Sequence, residues 1–202
     1  RGSTLTVPPQ QGRTVLITGG NSGLGLASAR HLAAAGANLI LACRNPAKAE
    51  AAAAALRSKF PGVSIAVEQL DLADLSSVRA CASRLNDRQQ RIDVLMNNAG
   101  VMATDRGRTA DGFETQFGTN HLGHFALTGL LLPLLVGNPD GARVVTVSSM
   151  GHRPGVMNLR DPHFERRRYR RWGAYFQSKL ANLLFTAELS RRLEGAKSSV
   201  TA

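Results

Sequence analysis

The chain has 202 residues, enough for one globular domain with a substantial core, and 43% of them are hydrophobic. Its net charge is +11, and much of that charge is concentrated in residues 160–171, where few aromatic residues lie between the arginines. This pattern favours a solvated surface loop over a polyanion site, so we expect no nucleic-acid partner.

The apolar segments argue against a membrane span. The longest run lies near residues 125–136 and is interrupted by Thr128, Gly129 and Pro133. It is too short to cross a bilayer, and we expect no signal peptide before the first predicted strand. We expect no transmembrane segment, a flexible leader over residues 1–12, and a single domain over residues 13–202.

The cysteine and histidine spacings do not predict a metal or redox centre. Cys43 and Cys81 are the only cysteines and follow no such spacing, so we expect reduced thiols and a cytoplasmic location. His121 and His124 lie three apart without a cysteine or an acidic cluster nearby. We interpret them as ordinary helix histidines and expect no metal.

The first elements predict a strand, a glycine-rich turn and a helix. Residues 14–18 form a β-branched apolar run, and a helical pattern extends through Ala35. Glycines at this position allow backbone amides to approach a pyrophosphate at the N-terminus of the helix. The candidate cofactor-binding residues of this turn are Gly19, Asn21, Ser22, Gly23, Leu24 and Gly25.

A second strand over residues 38–43 ends at Arg44, before a helix predicted from Pro46 to about Phe60. In a dinucleotide fold the end of this strand lies beside the adenosine ribose, where an acidic residue binds a 2′-hydroxyl and an arginine pairs with a 2′-phosphate. Arg44 therefore favours NADP over NAD, although a surface arginine in a loop is the alternative.

The third and fourth strands are each followed by candidate ligand-binding residues. Residues 64–69 alternate like a strand and continue into Asp71 and Leu72, where the Asp71 carboxylate can accept a hydrogen bond from an adenine amino group or cap the next helix, residues 75–87. Residues 94–96 predict the fourth strand. Asn98, Ala99 and Gly100 follow it, at the edge where open α/β sheets bind ligands.

A long helix is predicted from about Asp111 to Leu135, and it contains Asn120 in its middle. Asparagine is a poor helix former, so this position requires an explanation. Residues 144–147 predict a fifth strand, which ends in Ser148 and Ser149.

The last helix, predicted over residues 174–193, contains Tyr175 and Lys179 four residues apart. That spacing places both side chains on one helix face, with Tyr175 in the first turn. An ammonium beside a phenol favours the phenolate, so the pair can act as an acid and a base. Residues 198–202 predict the start of a further strand, and we expect the sheet to continue beyond them.

Five strands alternating with helices predict an α/β fold with a doubly wound parallel sheet of the Rossmann type. The motifs occur in the order found in short-chain dehydrogenases/reductases, a family that this chain resembles over about residues 14–202. The matching positions are Thr18-Gly19-x-x-x-Gly23-x-Gly25, Asn97-Asn98-Ala99-Gly100, Asn120, Ser149 and Tyr175-x-x-x-Lys179.

The resemblance implies an NADP-dependent oxidoreductase that acts on the carbonyl or alcohol group of a lipophilic small molecule. We also expect the protein to form a homo-oligomer. Tyr175 would exchange a proton with the reacting oxygen, and Ser149 would hydrogen-bond that oxygen, with Ser148 as the alternative. Lys179 would hold the nicotinamide ribose, and Asn120 would support a water relay to Lys179.

Residues 175–182 and the arginine-rich connection before them look like the retinol-dehydrogenase-like branch of this family. Two other functions stay open. An extended-type epimerase or dehydratase shares Tyr-x-x-x-Lys but differs in its glycine spacing. A catalytically idle NADP-binding sensor or scaffold could recruit an anionic partner through residues 166–171.

Overall fold

Five parallel strands form an open sheet. The computed structural model describes residues 7–194, so the strand considered over residues 198–202 lies outside them. The strands are β1 (Thr14–Thr18), β2 (Asn38–Cys43), β3 (Ile65–Gln69), β4 (Val94–Asn97) and β5 (Arg143–Thr146), and their order across the sheet is β3-β2-β1-β4-β5. The chain reverses its direction of winding between β1 and β4, so a crevice opens at their carboxyl ends.

Helices cover both faces of this sheet. They are α1 (Gly23–Ala34), α2 (Pro46–Lys59), α3 (Leu75–Asp87), α4 (Thr115–Phe117), α5 (Gly123–Val136) and α6 (Arg171–Leu193). Val15 and Ile17 of β1 face the core formed with α1 and α2. Leu16, between them, faces the core formed with α3 and α5. The alternation along β1 therefore divides the core into two layers, which confirms the predicted doubly wound architecture.

The helix predicted from Asp111 begins later, at Thr115. Asp111 lies in a turn in which the Gly112 amide donates to the Thr109 carbonyl at 2.9 Å. The Glu114 carboxylate then accepts hydrogen bonds from the amides of Gln116 and Phe117 at 2.9 and 2.7 Å and caps the helix. The predicted start was wrong because the acidic residue that caps the helix is Glu114.

The start of α6 was also misplaced. The helix begins at Arg171, three residues before the predicted Ala174, and Tyr175 consequently lies in its second turn. The other predicted strand and helix boundaries between residues 14 and 147 agree with the structure to within about one residue.

A π-helical segment, Gly118–Leu122, joins α4 to α5 in one continuous helix, Thr115–Val136. With 22 residues and a mean hydropathy of 1.2, this helix is long and apolar enough to span a membrane by length and composition alone. We expected the apolar run near residues 125–136 to be too short to cross a bilayer. The observed helix is longer because it begins ten residues earlier, at Thr115. In the fold, 39% of its apolar window is buried, and α5 packs against α3.

The arginine-rich connection is partly neutralised. Arg167 and Arg171 form ion pairs with Asp161 and Asp105 at 3.7 and 2.6 Å. Within residues 7–194, four further arginines of the connection are exposed and form no ion pair: Arg160, Arg166, Arg168 and Arg170. Of the predicted leader, residues 7–12 are described, and the Gln10 amide donates to the Ala35 carbonyl at 2.8 Å.

The two glycines of α5 predict opposite effects of substitution by alanine. A Cβ at Gly123 would lie 2.5 Å from the Leu72 carbonyl oxygen, whereas a Cβ at Gly129 would have no neighbour within 4 Å. We expect Gly123→Ala to lower the free energy of unfolding by about 1–3 kcal/mol. Gly129→Ala should raise it by about 0.5–1 kcal/mol, because alanine favours a helix. Urea unfolding of both variants measures this, and equal stabilities would contradict the close packing of α5.

Candidate active site

A cleft of about 590 Å³ lies at the carboxyl ends of the strands and extends from the end of β2 to α6. The predicted site residues that line it come from six segments of the chain. They are Gly19, Asn21, Ser22, Gly23, Leu24, Gly25, Arg44, Asp71, Leu72, Asn98, Ala99, Gly100, Ser148, Ser149, Tyr175 and Lys179. Asn120 is fully buried beside the cleft instead.

The glycine-rich turn is packed directly against the segment after β4. The Thr18 hydroxyl accepts hydrogen bonds from the amides of Asn98 and Ala99 at 2.9 and 3.0 Å, and the Asn98 side chain donates to the Thr18 carbonyl at 2.8 Å. A Cβ at Gly25 would lie 2.4 Å from the Gly19 carbonyl oxygen and 2.6 Å from Asn98 Nδ2. Gly25 therefore has no space for a side chain between the Gly19 backbone and the Asn98 side chain.

Tyr175 and Lys179 share the face of α6 that forms one end of the cleft. Lys179 is buried, with its Nζ 5.9 Å from the centroid of the Tyr175 ring, and it donates a hydrogen bond to the Val147 carbonyl at 3.0 Å. Burial lowers the pKa of Lys179. The Tyr175 hydroxyl forms no hydrogen bond to any other residue between 7 and 194, so it can bond to a ligand.

Ser148 and Ser149 have different hydrogen-bond partners. Ser148 Oγ donates to the Lys179 carbonyl at 2.8 Å, which uses its only proton. Ser149 Oγ accepts from the Gly151 amide at 3.1 Å and keeps its proton available for a ligand in the cleft. Ser149 is therefore better placed than Ser148 to donate a hydrogen bond to a reacting oxygen.

Asn120 lies in the π-helical segment, and its side chain holds the chain that follows β4. Its Oδ1 accepts from the Val101 amide at 2.8 Å, and its Nδ2 donates to the Val101 carbonyl and to Ser178 Oγ, both at 2.9 Å. A Cβ at Gly100 would lie 3.0 Å from Asn120 Oδ1 and 3.6 Å from Lys179 Nζ. These bonds explain an asparagine inside a helix, because π-helical turns often accommodate functional side chains.

Arg44 and Asp71 line the other end of the cleft. Arg44 is exposed and forms no ion pair within the described part of the chain. Asp71 accepts a hydrogen bond from the Ala73 amide at 2.9 Å. The alternative that Asp71 caps α3 was wrong, because Asp74 accepts from the amides of Ser76 and Ser77 and is the cap.

No cluster of three metal-binding side chains occurs among residues 7–194. Both cysteines are free thiols, and burial raises the pKa of each. His121 is hydrogen bonded to Asn182 at 3.3 Å. His124 is buried against Thr18, and burial lowers the pKa of its ring to about 4.

Seven lining residues were not predicted: Ala42, Cys43, Leu70, Val101, Met102, Thr119 and Val147. Each follows or precedes a predicted residue or strand end in the sequence. Val147 takes part through its carbonyl group, which every residue has, so its side chain gave no signal. Thr119 and Val101 could have been predicted from their sequence positions, because they are adjacent to Asn120 and Gly100.

Known proteins resemble this chain in both sequence and fold. The family described as short chain dehydrogenase matches residues 13–160. Human retinol dehydrogenase 13 is 46% identical over 200 residues, which are 99% of this chain and 59% of that protein. Human retinol dehydrogenase 14 is 48% identical over 202 residues, with 94% of this chain and 60% of that protein covered. The chain thus spans about three fifths of the length of these curated relatives.

Solved structures give the same result. A putative uncharacterised protein from Mycobacterium Paratuberculosis has 54% sequence identity and a TM-score of 0.86, with 96% of this chain and 67% of that chain covered. A putative short chain dehydrogenase from Shigella flexneri, 26% identical with a TM-score of 0.74 over 93% of this chain and 74% of that one, was solved with NADP. One from Burkholderia phymatum, 25% identical with a TM-score of 0.74 over 95% of this chain and 63% of that one, was solved with NAD.

One cleft therefore brings together the glycine-rich turn, the segment after β4, the serine pair and Tyr175-x-x-x-Lys179, in a fold shared with these proteins. The chain belongs to the short-chain dehydrogenase/reductase family and is retinol-dehydrogenase-like.

Proposed function

We propose that this chain forms the cofactor-binding and proton-transfer part of an oxidoreductase that uses NADP(H) to interconvert a carbonyl and an alcohol on a lipophilic small molecule. The observation that carries this proposal is the position of Tyr175 and Lys179. They form one end of the cleft, while Arg44 lines the other. A dinucleotide can extend between these ends with its nicotinamide beside the tyrosine.

The residues of the cleft fit such a cofactor. Ser22 makes no side-chain cap on α1, so the amides of the first helical turn stay available to an anion such as a pyrophosphate. Gly23 and Gly19 have positive φ angles of 51° and 67°, which shape the turn, and no Cβ obstructs the approach at Gly25. When bound, the nicotinamide supplies or accepts the hydride.

Tyr175 performs the proton transfer in this proposal. In reduction its phenol donates a proton to the carbonyl oxygen, and in oxidation the phenolate accepts the proton of the alcohol. Lys179, held by the Val147 carbonyl at 3.0 Å, stabilises the negative charge left on the phenol oxygen. Ser149 donates a hydrogen bond to the same substrate oxygen and fixes its direction.

Asn120 acts indirectly in this proposal. Its side chain is fully used by Val101 and Ser178. It therefore joins the segment after β4 to α6 at Ser178, next to Lys179 in the sequence, and in this proposal it supports a water relay to that lysine. Solvent protons can then reach Lys179, whose lowered pKa favours release of a proton.

The choice of NADP rests on Arg44, which is exposed at the cleft and unpaired within residues 7–194. A guanidinium can form charge-assisted bonds to a 2′-phosphate. The NADP complex of one related structure and the NAD complex of another show that the fold accommodates both cofactors.

A lipophilic substrate is supported by exposed apolar residues near Tyr175. Met102 lines the cleft and is 60% exposed, and Trp172 is 50% exposed with its ring 6.2 Å from that of Tyr175. The names of the retinol dehydrogenases point to substrates of this kind for those relatives. An apolar alcohol or aldehyde would cover these side chains on binding.

The homo-oligomer and the cytoplasmic location stay predictions. The support for self-association is a groove of about 490 Å³ between α5 and α6, whose apolar lining includes Phe125, Leu184 and Phe185.

A catalytically idle NADP-binding sensor is the remaining alternative. Its support is the exposed arginines of the connection, and it does not account for a free Tyr175 hydroxyl beside Lys179.

Exchange of Arg44 tests the cofactor preference. We expect NADPH to bind more tightly than NADH, and Arg44→Asp to weaken NADPH binding about ten- to a hundredfold through loss of a charge-assisted bond and repulsion of the phosphate. Isothermal titration calorimetry on the full-length protein gives both affinities. The matched control is Arg30→Asp, an exposed arginine of α1 outside the cleft, which should leave them unchanged. Equal affinities for NADPH and NADH in the unmodified protein would rule out the NADP preference.

Removal of one oxygen atom tests the proton transfer. Tyr175→Phe should lower turnover of apolar aldehydes by about 10²- to 10⁴-fold while NADPH affinity changes by less than about threefold. NADPH absorbance measures turnover.

The serine pair provides an internal comparison, in which Ser149→Ala lowers turnover more than Ser148→Ala. A cofactor-bound, unmodified full-length protein that turns over no carbonyl or alcohol in a broad panel would favour the sensor instead.

A further inference from the structure

We propose that His124 is a positioning residue that ties the cofactor side of the cleft to the turn containing Asn120, through one hydrogen bond at each ring nitrogen. The inference rests on the proposed function, because positioning has meaning only if the cleft is catalytic. His124 does not line the cleft and is 1% exposed. Its ring therefore acts on the site only through the two groups that it contacts.

The first contact is with Thr18, at the end of β1. The Thr18 hydroxyl accepts from the amides of Asn98 and Ala99, which occupies both of its acceptor positions. Its single proton points to His124 Nε2 at 2.8 Å, a closer acceptor than the Met96 carbonyl at 3.4 Å. Nε2 of His124 is consequently an acceptor, and the proton of the neutral ring lies on Nδ1.

The second contact follows from this tautomer. Nδ1–H of His124 donates to the Asn120 carbonyl at 2.9 Å. The Asn120 side chain binds Val101, in the segment after β4, and Ser178, the neighbour of Lys179 in α6. The imidazole thus connects β1, whose Thr18 holds the post-β4 segment, with the π-helical segment beside the lysine.

The surroundings keep this ring neutral. Burial is the largest effect that lowers its pKa, to about 4, and the nearby charges of Lys179 and His121 act in the same direction. Protonation would place a hydrogen on Nε2, which could then no longer accept from Thr18. Because the folded-state pKa lies below the ordinary value of about 6.5, the bridge is intact at neutral pH and is lost only as the pH falls toward about 4.

Three substitutions separate the two ends of the bridge. His124→Leu fills the space and removes both bonds. His124→Gln places an amide oxygen near the position of Nε2 and can regain the bond from Thr18, whereas His124→Asn places an amide nitrogen near that of Nδ1 and can regain the bond to Asn120.

In the full-length protein we expect His124→Leu to lower kcat about tenfold or more, with less than about a threefold change in KM and in the Kd of NADPH. His124→Gln and His124→Asn should each recover part of that kcat. A residue that merely fills space predicts the opposite order, with leucine at least as active as the two amides, and that result would overturn the proposal.

A second measurement is independent of activity. Nuclear magnetic resonance of ¹⁵N-histidine-labelled protein should show His124 as the neutral Nδ1–H tautomer from pH 8 to about pH 5. A protonated ring or an Nε2–H tautomer at pH 7 would overturn the bridge even in a fully active enzyme. If the unmodified protein turns over no substrate while the Nδ1–H tautomer is observed, the proposed function fails and the bridge stands.

Discussion

Close backbone contact between the turn after β1 and the segment after β4 is the constraint on which the cleft depends. A Cβ at Gly19 would lie 3.0 Å from the Ala99 Cβ and 3.2 Å from the Ala99 Cα, so a side chain there would push the two segments apart. The Thr18 hydroxyl then joins them by accepting from the amides of Asn98 and Ala99. Because β1 and β4 are neighbours in the sheet, this contact fixes the floor of the crevice where the winding of the chain reverses.

The end of the cleft that contains Tyr175 and Lys179 depends on a second constraint, the π-helical segment Gly118–Leu122. It lets Asn120 turn its side chain toward Val101 and Ser178, and it places the Asn120 carbonyl within reach of His124. The polar residues of this buried region form one connected network, in which every member orients another.

Much of this arrangement could be predicted from the sequence. The strand, glycine turn and helix pattern, the amide-rich segment after β4 and the Tyr175-x-x-x-Lys179 spacing are local signals, and each element was placed close to its observed position. The start of the long helix could not be predicted, because the residue that caps it is Glu114, and glutamate is not among the residues usually preferred at that position. The role of His124 also escaped prediction. Its partner Thr18 comes close to it only when the helix packs on the sheet. The sequence showed only a spacing of three residues from His121, which suggested an ordinary helix histidine.

The central claim is that Tyr175 and Lys179 form the nicotinamide end of a dinucleotide cleft. A crystal structure of the full-length protein with NADPH bound tests it most directly. We expect C4 of the nicotinamide to lie on the Tyr175 side of the cleft, with room for a substrate carbon within about 3.5 Å of C4. We also expect a ribose hydroxyl about 3 Å from Lys179 Nζ and the 2′-phosphate beside Arg44. A cofactor bound in the reverse direction, or with its nicotinamide remote from Tyr175, would contradict the account.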